Sequence, residues 1–405
     1  MTSRTQPGNR HEPASTTKPV HALIVAIAAI FTDMLLSGLA APILPLLPTV
    51  VDAGPGWAGV LFASYAFAMV IATVYAGWMV DRYGPKTPLL IGLIGMGLAT
   101  FCFALGEPFS LLLIARLAQG FSGGITWVAA LALIAATTPL QRRGSAFGIA
   151  IGASSLGFLV GPPLAGVMAT VWGSGSPFIF AGLIAIIDGI LRIVLVNGVE
   201  VPEDDTGGPL AVLRVPGSWS IIMIVICGAA LPASIQPVLP LHLHIDELTV
   251  GMLYGISAIA VLVFNPLVGW LTAKVPVKWL VGCGVVVSAL ALGVLGSGTG
   301  IWEVGIAMVL VGLSGALLLT PATTLISEQG KHAQPPTLGG TFSLNNLAYG
   351  VGMVLGPLLS GLGSQDTGYF YAFLGTNVVI TGIGAVALFR LPRLAQSPLN
   401  RVHDQ

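Results

Sequence analysis

Residues 29–48 read AIFTDMLLSGLAAPILPLLP, an apolar run with one carboxylate, Asp33, near its middle. Its length and hydropathy suit a bilayer crossing. An acid at bilayer depth costs roughly 2.5–3.5 kcal/mol on insertion scales, so Asp33 marks a functional site. Ser37 stands four residues on and shares the helix face of Asp33. Pro42, Pro45 and Pro48 then loosen the far end of the span, as broken membrane helices allow.

The rest of the chain has the same character. Of its 405 residues, 55% are hydrophobic and 8% charged. A soluble domain carries about 25% charged residues, so the expectation is an all-α, multi-pass membrane protein. Twelve apolar segments of roughly 20 residues follow one another from Ala22 to Phe389, joined by short connections. The net charge is zero and there is no basic tract for nucleic acid. Cys102, Cys227 and Cys283 lie inside apolar runs with no ligand spacing, and no metal or other cofactor is expected. The polar N-terminal stretch precedes an apolar run too long for a cleaved signal, which predicts an uncleaved first span.

Basic residues orient the spans. With the N-terminus inside, Arg82, Lys86, Arg142, Arg143, Arg214, Lys274, Lys278, Lys331, Arg390, Arg393 and Arg401 fall on the inner side. The outer connections hold Asp52, Glu107, Asp246, Glu247, Glu303 and Asp366. This predicts cytoplasmic termini, in the plasma membrane or, alternatively, a vesicle or vacuole membrane. Seven of the eight Trp residues fall at span ends, and Trp127 alone is deep.

Four pairs of segments repeat in register. APILPLLP (41–48) returns as QPVLPLHL (236–243) and GWMVDRYGPK (77–86) as GWLTAKVPVK (269–278). GFSG (120–123) returns as GLSG (312–315), and GPPLAG (161–166) as GPLLSG (356–361). Two six-helix halves follow, 22–198 and 219–390, joined by a linker at 199–218 and flanked by tails at 1–21 and 391–405. The repeat sets Gly228 against Asp33 and Met308 against Arg116, so the intramembrane charge belongs to the first half.

Several of these residues resemble the major facilitator superfamily. Gly77-Trp-Met-Val-Asp81-Arg82-Tyr-Gly84-Pro-Lys86 is similar to its loop 2–3 signature. Arg116-Leu-Ala-Gln119-Gly120 resembles the span-four motif of drug/proton antiporters, and Gly157-Phe-Leu-Val-Gly161-Pro162-Pro-Leu-Ala-Gly166 their span-five motif. Phe31–Pro42 is similar to vesicular amine transporters and to fungal exporters of secondary metabolites. Asp188-Gly-Ile-Leu-Arg192 and Leu239-Pro-Leu-His242 add to that likeness. The resemblance implies a twelve-helix fold with a central cavity, alternating access and proton antiport of an amphipathic, often cationic, molecule. The chain departs from the amine transporters where they carry acids in spans seven and eleven, with Gln236 and Asn346 there, and where they carry a Lys in span two, with Tyr65 there.

The site residues then take roles. Asp33 carries the proton and partners a cationic group. A carboxyl in apolar surroundings favours its protonated form and a nearby cation reverses that, which lets one site hold either. Arg116 modulates Asp33 or stabilises an occluded state; Gly120 and Gly123 leave its helix face open, with Trp127 further in as a cavity wall. Ser37, Tyr65, Gln236, Asn346 and Tyr349 are read as deep polar groups facing substrate, as is Asn265. Gly77, Asp81, Arg82, Gly84 and Lys86 form a gate latch, the glycines making a tight turn. Gly157, Gly161, Pro162 and Gly166 allow close helix approach and a bend. Asp188 and Arg192 are a local, structural i,i+4 pair. His242 and His244 beside Asp246 and Glu247 form a pH-sensitive rim rather than a metal site.

The expected function is proton-coupled export of a small amphipathic or cationic molecule by a monomer driven by the proton gradient alone. A uniporter or proton symporter of a neutral solute is the first alternative, a non-transporting scaffold the second. Clustered acids, histidines or a nucleophile–base pair, as an enzyme needs, are missing from the sequence.

Overall fold

The computed structural model describes residues 19–195, 208–298, 300–337 and 339–391. The predicted tails, most of the linker, and Arg393 and Arg401 lie outside the described residues, as does the side chain of Arg143. Twelve long helices follow one another: α1 (Pro19–Ile43), α2 (Pro55–Tyr83), α3 (Lys86–Phe103), α4 (Phe109–Thr137), α5 (Leu140–Trp172), α6 (Ser176–Leu195), α7 (Ser218–Ile235), α8 (Glu247–Thr272), α9 (Val277–Ser297), α10 (Ile301–His332), α11 (Gly339–Thr367) and α12 (Tyr369–Phe389). Eleven are long and apolar enough to cross a membrane, and α6 is apolar over Ser176–Ile190. The protein is an all-α, multi-pass integral membrane protein.

Helices start where the chain supplies a starter rather than where the apolar run begins. α2 opens at Pro55, because proline is preorganised for a first turn and lacks only a donor already unpaired there. Asp246 caps α8 by accepting a hydrogen bond from the Thr249 amide at 2.8 Å. The two copies of the proline-rich repeat break their helices alike. After α1 come a 3-10 turn, Leu44–Leu46, and a short helix, Pro48–Ala53; after α7 comes the short helix Leu239–Leu243. Each break adds a proline where a helix would need an amide donor.

Packing follows the repeat. α1 lies on α5 as α7 lies on α11, α2 on α4 as α8 on α10, and α3 on α6 as α9 on α12. The halves meet along α2 with α11 and along α5 with α8. Of the predicted linker, the described part forms a short helix, Pro209–Leu213. Its Val212 is fully buried in the core of the second half.

Helix direction gives the bundle two ends. One bears Arg82, Lys86, Arg142, Arg214, Lys274, Lys278, Lys331 and Arg390; the other bears Asp52, Glu107, Asp246, Glu247, Glu303 and Asp366. Trp57, Trp78, Trp172, Trp219, Trp270, Trp279 and Trp302 are exposed at helix ends, as interfacial anchors are. At the acidic end the halves touch backbone to backbone. Gly59 packs on Pro357 and Gly361, and Gly251 on Pro162. Only residues without a Cβ allow such an approach. At the basic end the contact seen between halves is a ring pair, Phe147 with Phe342, at 6.1 Å.

Candidate functional site

Four charged side chains are buried among the described residues: Asp33, Arg116, Asp188 and Arg192. All belong to the first half. Asp33 is 4% exposed, midway along α1, and its Oδ1 has no hydrogen-bond partner. It points at Gly123 of α4, where a Cβ would lie 3.1 Å from Asp33 Oδ1 and 3.1 Å from the Tyr65 hydroxyl. Asp33 and the Tyr65 hydroxyl thus converge on the space that Gly123 leaves, with Ser37 one turn from Asp33 on α1.

Arg116 does not reach the surface. It is 3% exposed, with its guanidinium over the rings of Phe62 at 4.9 Å and Tyr65 at 4.7 Å. It donates to the Gln119 side chain, which donates in turn to Thr100 of α3 at 3.1 Å. Stacking and a bonded amide together compensate a cation held away from water. Gln119 and Thr100 were not among the expected site residues. The sequence signals for Gln119 are its place in the Arg116–Gly120 motif and its spacing, three residues after Arg116 on one helix face.

The face of α4 is not open, contrary to the reading of Gly120 and Gly123. Gly120 sits directly on the Tyr65 backbone, and Gly123 is covered by Asp33 and Tyr65. Trp127 is half-buried in the first half, and its Nε1 has no partner. Beside it Thr126 also carries a buried, unpartnered hydroxyl.

On the second half the expected residues separate. Gln236 lies just past the end of α7, toward the acidic end and about two turns from the level of Gly228, the repeat equivalent of Asp33. It is partly buried and lies within the apolar span Ser218–Leu243, at the end of a helix that runs through Pro232 to Ile235. Asn346 and Tyr349 lie on α11 and are partly buried; the neighbouring Asn345 holds a buried, unpartnered Oδ1. Asn265 accepts from Thr320 at 3.2 Å.

The two glycine motifs also divide. Gly77 lies inside α2 in open space, and only Gly84, with φ +71°, makes the turn that glycine tolerates. Arg82 sits over the Tyr83 ring and Tyr83 against Trp78, contacts within one half. Gly157 and Gly161 press α5 onto α1 at Phe31, Leu35 and Gly38, next to Asp33. Pro162 and Gly166 press the other side of α5 onto α8 of the second half. His242 stacks near Tyr369 at 4.9 Å, with a buried Nε2 lacking a partner. No cluster able to hold a metal is found among the described residues.

The family model described as Major Facilitator Superfamily matches residues 26–231 and 218–404. The chain is 29% identical to the chromaffin granule amine transporter of Rattus norvegicus over 342 residues, covering 80% of this chain and 64% of that protein. It is 26% identical to the vesicular acetylcholine transporter of Torpedo torpedo over 332 residues, covering 79% and 65%. It thus spans less than two thirds of the length of these relatives. Among solved structures, a bacterial homologue of the human lysosomal transporter Spinster, inward-facing and unoccupied, superposes with a TM-score of 0.75 at 13% identity over 93% of this chain and 96% of that one. The nucleoside transporter NupG superposes with a TM-score of 0.70 at 14% identity over 91% and 98%.

Proposed function

We propose a transport function for this chain, which belongs to the Major Facilitator Superfamily: proton-coupled export of small amphipathic molecules with a positive charge, by alternating access. One observation carries the reading. Asp33 is a buried acid with an unpartnered oxygen, which meets the Tyr65 hydroxyl over Gly123 and lies one turn from Ser37. Such an oxygen can take a proton or a cation but not both, and exclusive occupancy of one site is what antiport requires. The names of the amine and acetylcholine transporters among its relatives support an amine-like cargo. Trp127 offers a ring face for that cargo, and Tyr349, Asn345 and Asn346 offer hydrogen-bonding groups from the second half. Arg116 stabilises the closed first half through Tyr65, and the Asp81–Arg82–Lys86 turn acts as a gate latch at the basic end. The proton gradient drives the cycle without a bound cofactor, in a monomer whose basic end is cytoplasmic, in the plasma membrane or a vesicle membrane. Uniport or symport of a neutral solute, to which Gln236 and Asn346 would supply uncharged hydrogen-bonding groups, is the alternative.

The test is exchange in liposomes holding the full chain, with ethidium as a fluorescent monocation and an imposed pH step. Wild type should accumulate ethidium against its gradient, and Asp33→Asn should lose at least ten-fold of the initial rate. Equal rates in the two would remove the carboxyl from the mechanism.

A further inference from the structure

The helix pair Asp188–Arg192 was read from sequence as complete in itself. In the structure its Arg192 faces the same interior space as Asp33. Arg192 is 1% exposed and ties α6 to α3 by donating from Nη1 to the Leu89 carbonyl at 2.7 Å. Its other terminal nitrogen pairs with Asp188. Arg192 shares one tight interior space with Asp33 and Thr126, between α1, α3, α4 and α6. Thr32, next to Asp33 on α1, lines the same space. Asp33 Oδ1, Asp188 Oδ1, Arg192 Nε and Thr126 Oγ1 are all buried and unpartnered. A structural ion pair needs one acid and one base. Here there are two acids and one base, so the charges sum to −1 with both acids ionised and to zero with one proton added. Charges this close in a medium of low dielectric act on each other strongly.

We propose that Asp33, Asp188 and Arg192 work as one buried cluster: Arg192 is the counter-charge that Asp33 shares with Asp188, and Asp188 and Arg192 are positioning residues for proton binding at Asp33. The cluster takes up one positive charge at a time, a proton or the charged end of a monocation. This deepens the exchange reading above and rests on it for the cargo. The other groups around Asp33 do not supply the counter-charge. α2 brings the Tyr65 phenol, and α4 brings Arg116 beyond it, already engaged with Gln119 and two rings. α3 brings Leu93 and Met96. α5 brings glycine backbone. α8 meets α1 near Ala41, about two turns away, with Val250, Leu253 and Tyr254.

The experiment follows protonation of the carboxyl directly. Infrared difference spectra of the full chain in liposomes are recorded over a pH titration, and the band lost in Asp33→Asn is assigned to Asp33. The double variant Asp188→Asn/Arg192→Gln leaves no buried charge unpaired by its own change, so a purely structural pair would tolerate it. The expected result is a midpoint for the Asp33 band displaced by about one pH unit or more. Arg192→Lys keeps a cation but cannot span Leu89 and Asp188 with a planar fork; it should displace the midpoint by less, and it serves alone if the double variant does not fold. Leu93→Ala changes packing in the same space without changing charge and should leave the midpoint in place. An unmoved midpoint in the folded Arg192 variant, or an equal displacement in Leu93→Ala, overturns the proposal. Ethidium exchange in the same liposomes separates the two readings: a displaced band in a chain that moves no ethidium keeps the cluster and removes the exporter, and flux with an unmoved band removes the cluster alone.

Discussion

At the scale of single residues, the two glycines of α4 separate packing from function. A Cβ at Gly120 would meet the carbonyl oxygen, carbonyl carbon and Cα of Tyr65, all backbone. Backbone inside two packed helices has little room to give, and overpacking of this kind costs about 1–3 kcal/mol. A Cβ at Gly123 would meet Asp33 Oδ1 and the Tyr65 hydroxyl, the ends of two side chains, each 3.1 Å away. These can turn aside, but they then leave the geometry proposed for proton binding. Gly120→Ala should lower the melting temperature in detergent well below that of wild type. Gly123→Ala should keep a near-native melting temperature and lose most of the ethidium exchange rate. The reverse order would mean that Gly123 only packs and that Asp33 need not stand where it does.

At the scale of elements, α5 carries two seams on opposite sides. Gly161 packs against the Gly38 backbone and the Leu35 carbonyl of α1, one turn past Asp33, whereas Gly152 has nothing near it. Gly161→Ala should therefore push α1 off α5, lowering both the melting temperature and the exchange rate, and Gly152→Ala should change neither; parallel thermal and flux measurements check both. The helices and their pairing were legible in the sequence because a bilayer span has a length and four repeats had a register. The partners of each helix face were less so. Periodicity says that Asp188 and Arg192 share a face of α6, but it cannot say that this face meets Asp33 of α1. It marks Gly77 and Gly84 alike, though only Gly84 lies at a turn.

At the scale of the whole molecule, the halves meet closely at the acidic end, and that contact rests on the absence of side chains. Gly59 of α2 lies against the Pro357 carbonyl and Gly361 Cα of α11, and Gly251 of α8 against the Pro162 carbonyl of α5, so both seams between the halves are sealed by backbone. Ala41 of α1, 1% exposed, is packed beneath this contact with Cys227, Ala230 and Leu231 of the second half. A rocking motion that opens this end must separate these surfaces and uncover Ala41. Gly59→Ala puts a methyl where only backbone can yield, so it should weaken the state closed at the acidic end and favour the one open there. The reporter is Ala41→Cys in a chain whose Cys102, Cys227 and Cys283 are replaced by Ala, labelled in detergent with a hydrophilic maleimide. Labelling should be slow with Gly59 intact and at least several-fold faster in Gly59→Ala, while α1 and α5 keep their packing and the melting temperature falls little. Rapid labelling with Gly59 intact would mean that the acidic end opens freely without help. An unchanged slow rate in Gly59→Ala would mean that the two seams do not hold the halves together, and that the ring contact of Phe147 with Phe342 at the other end bears more of the balance between states.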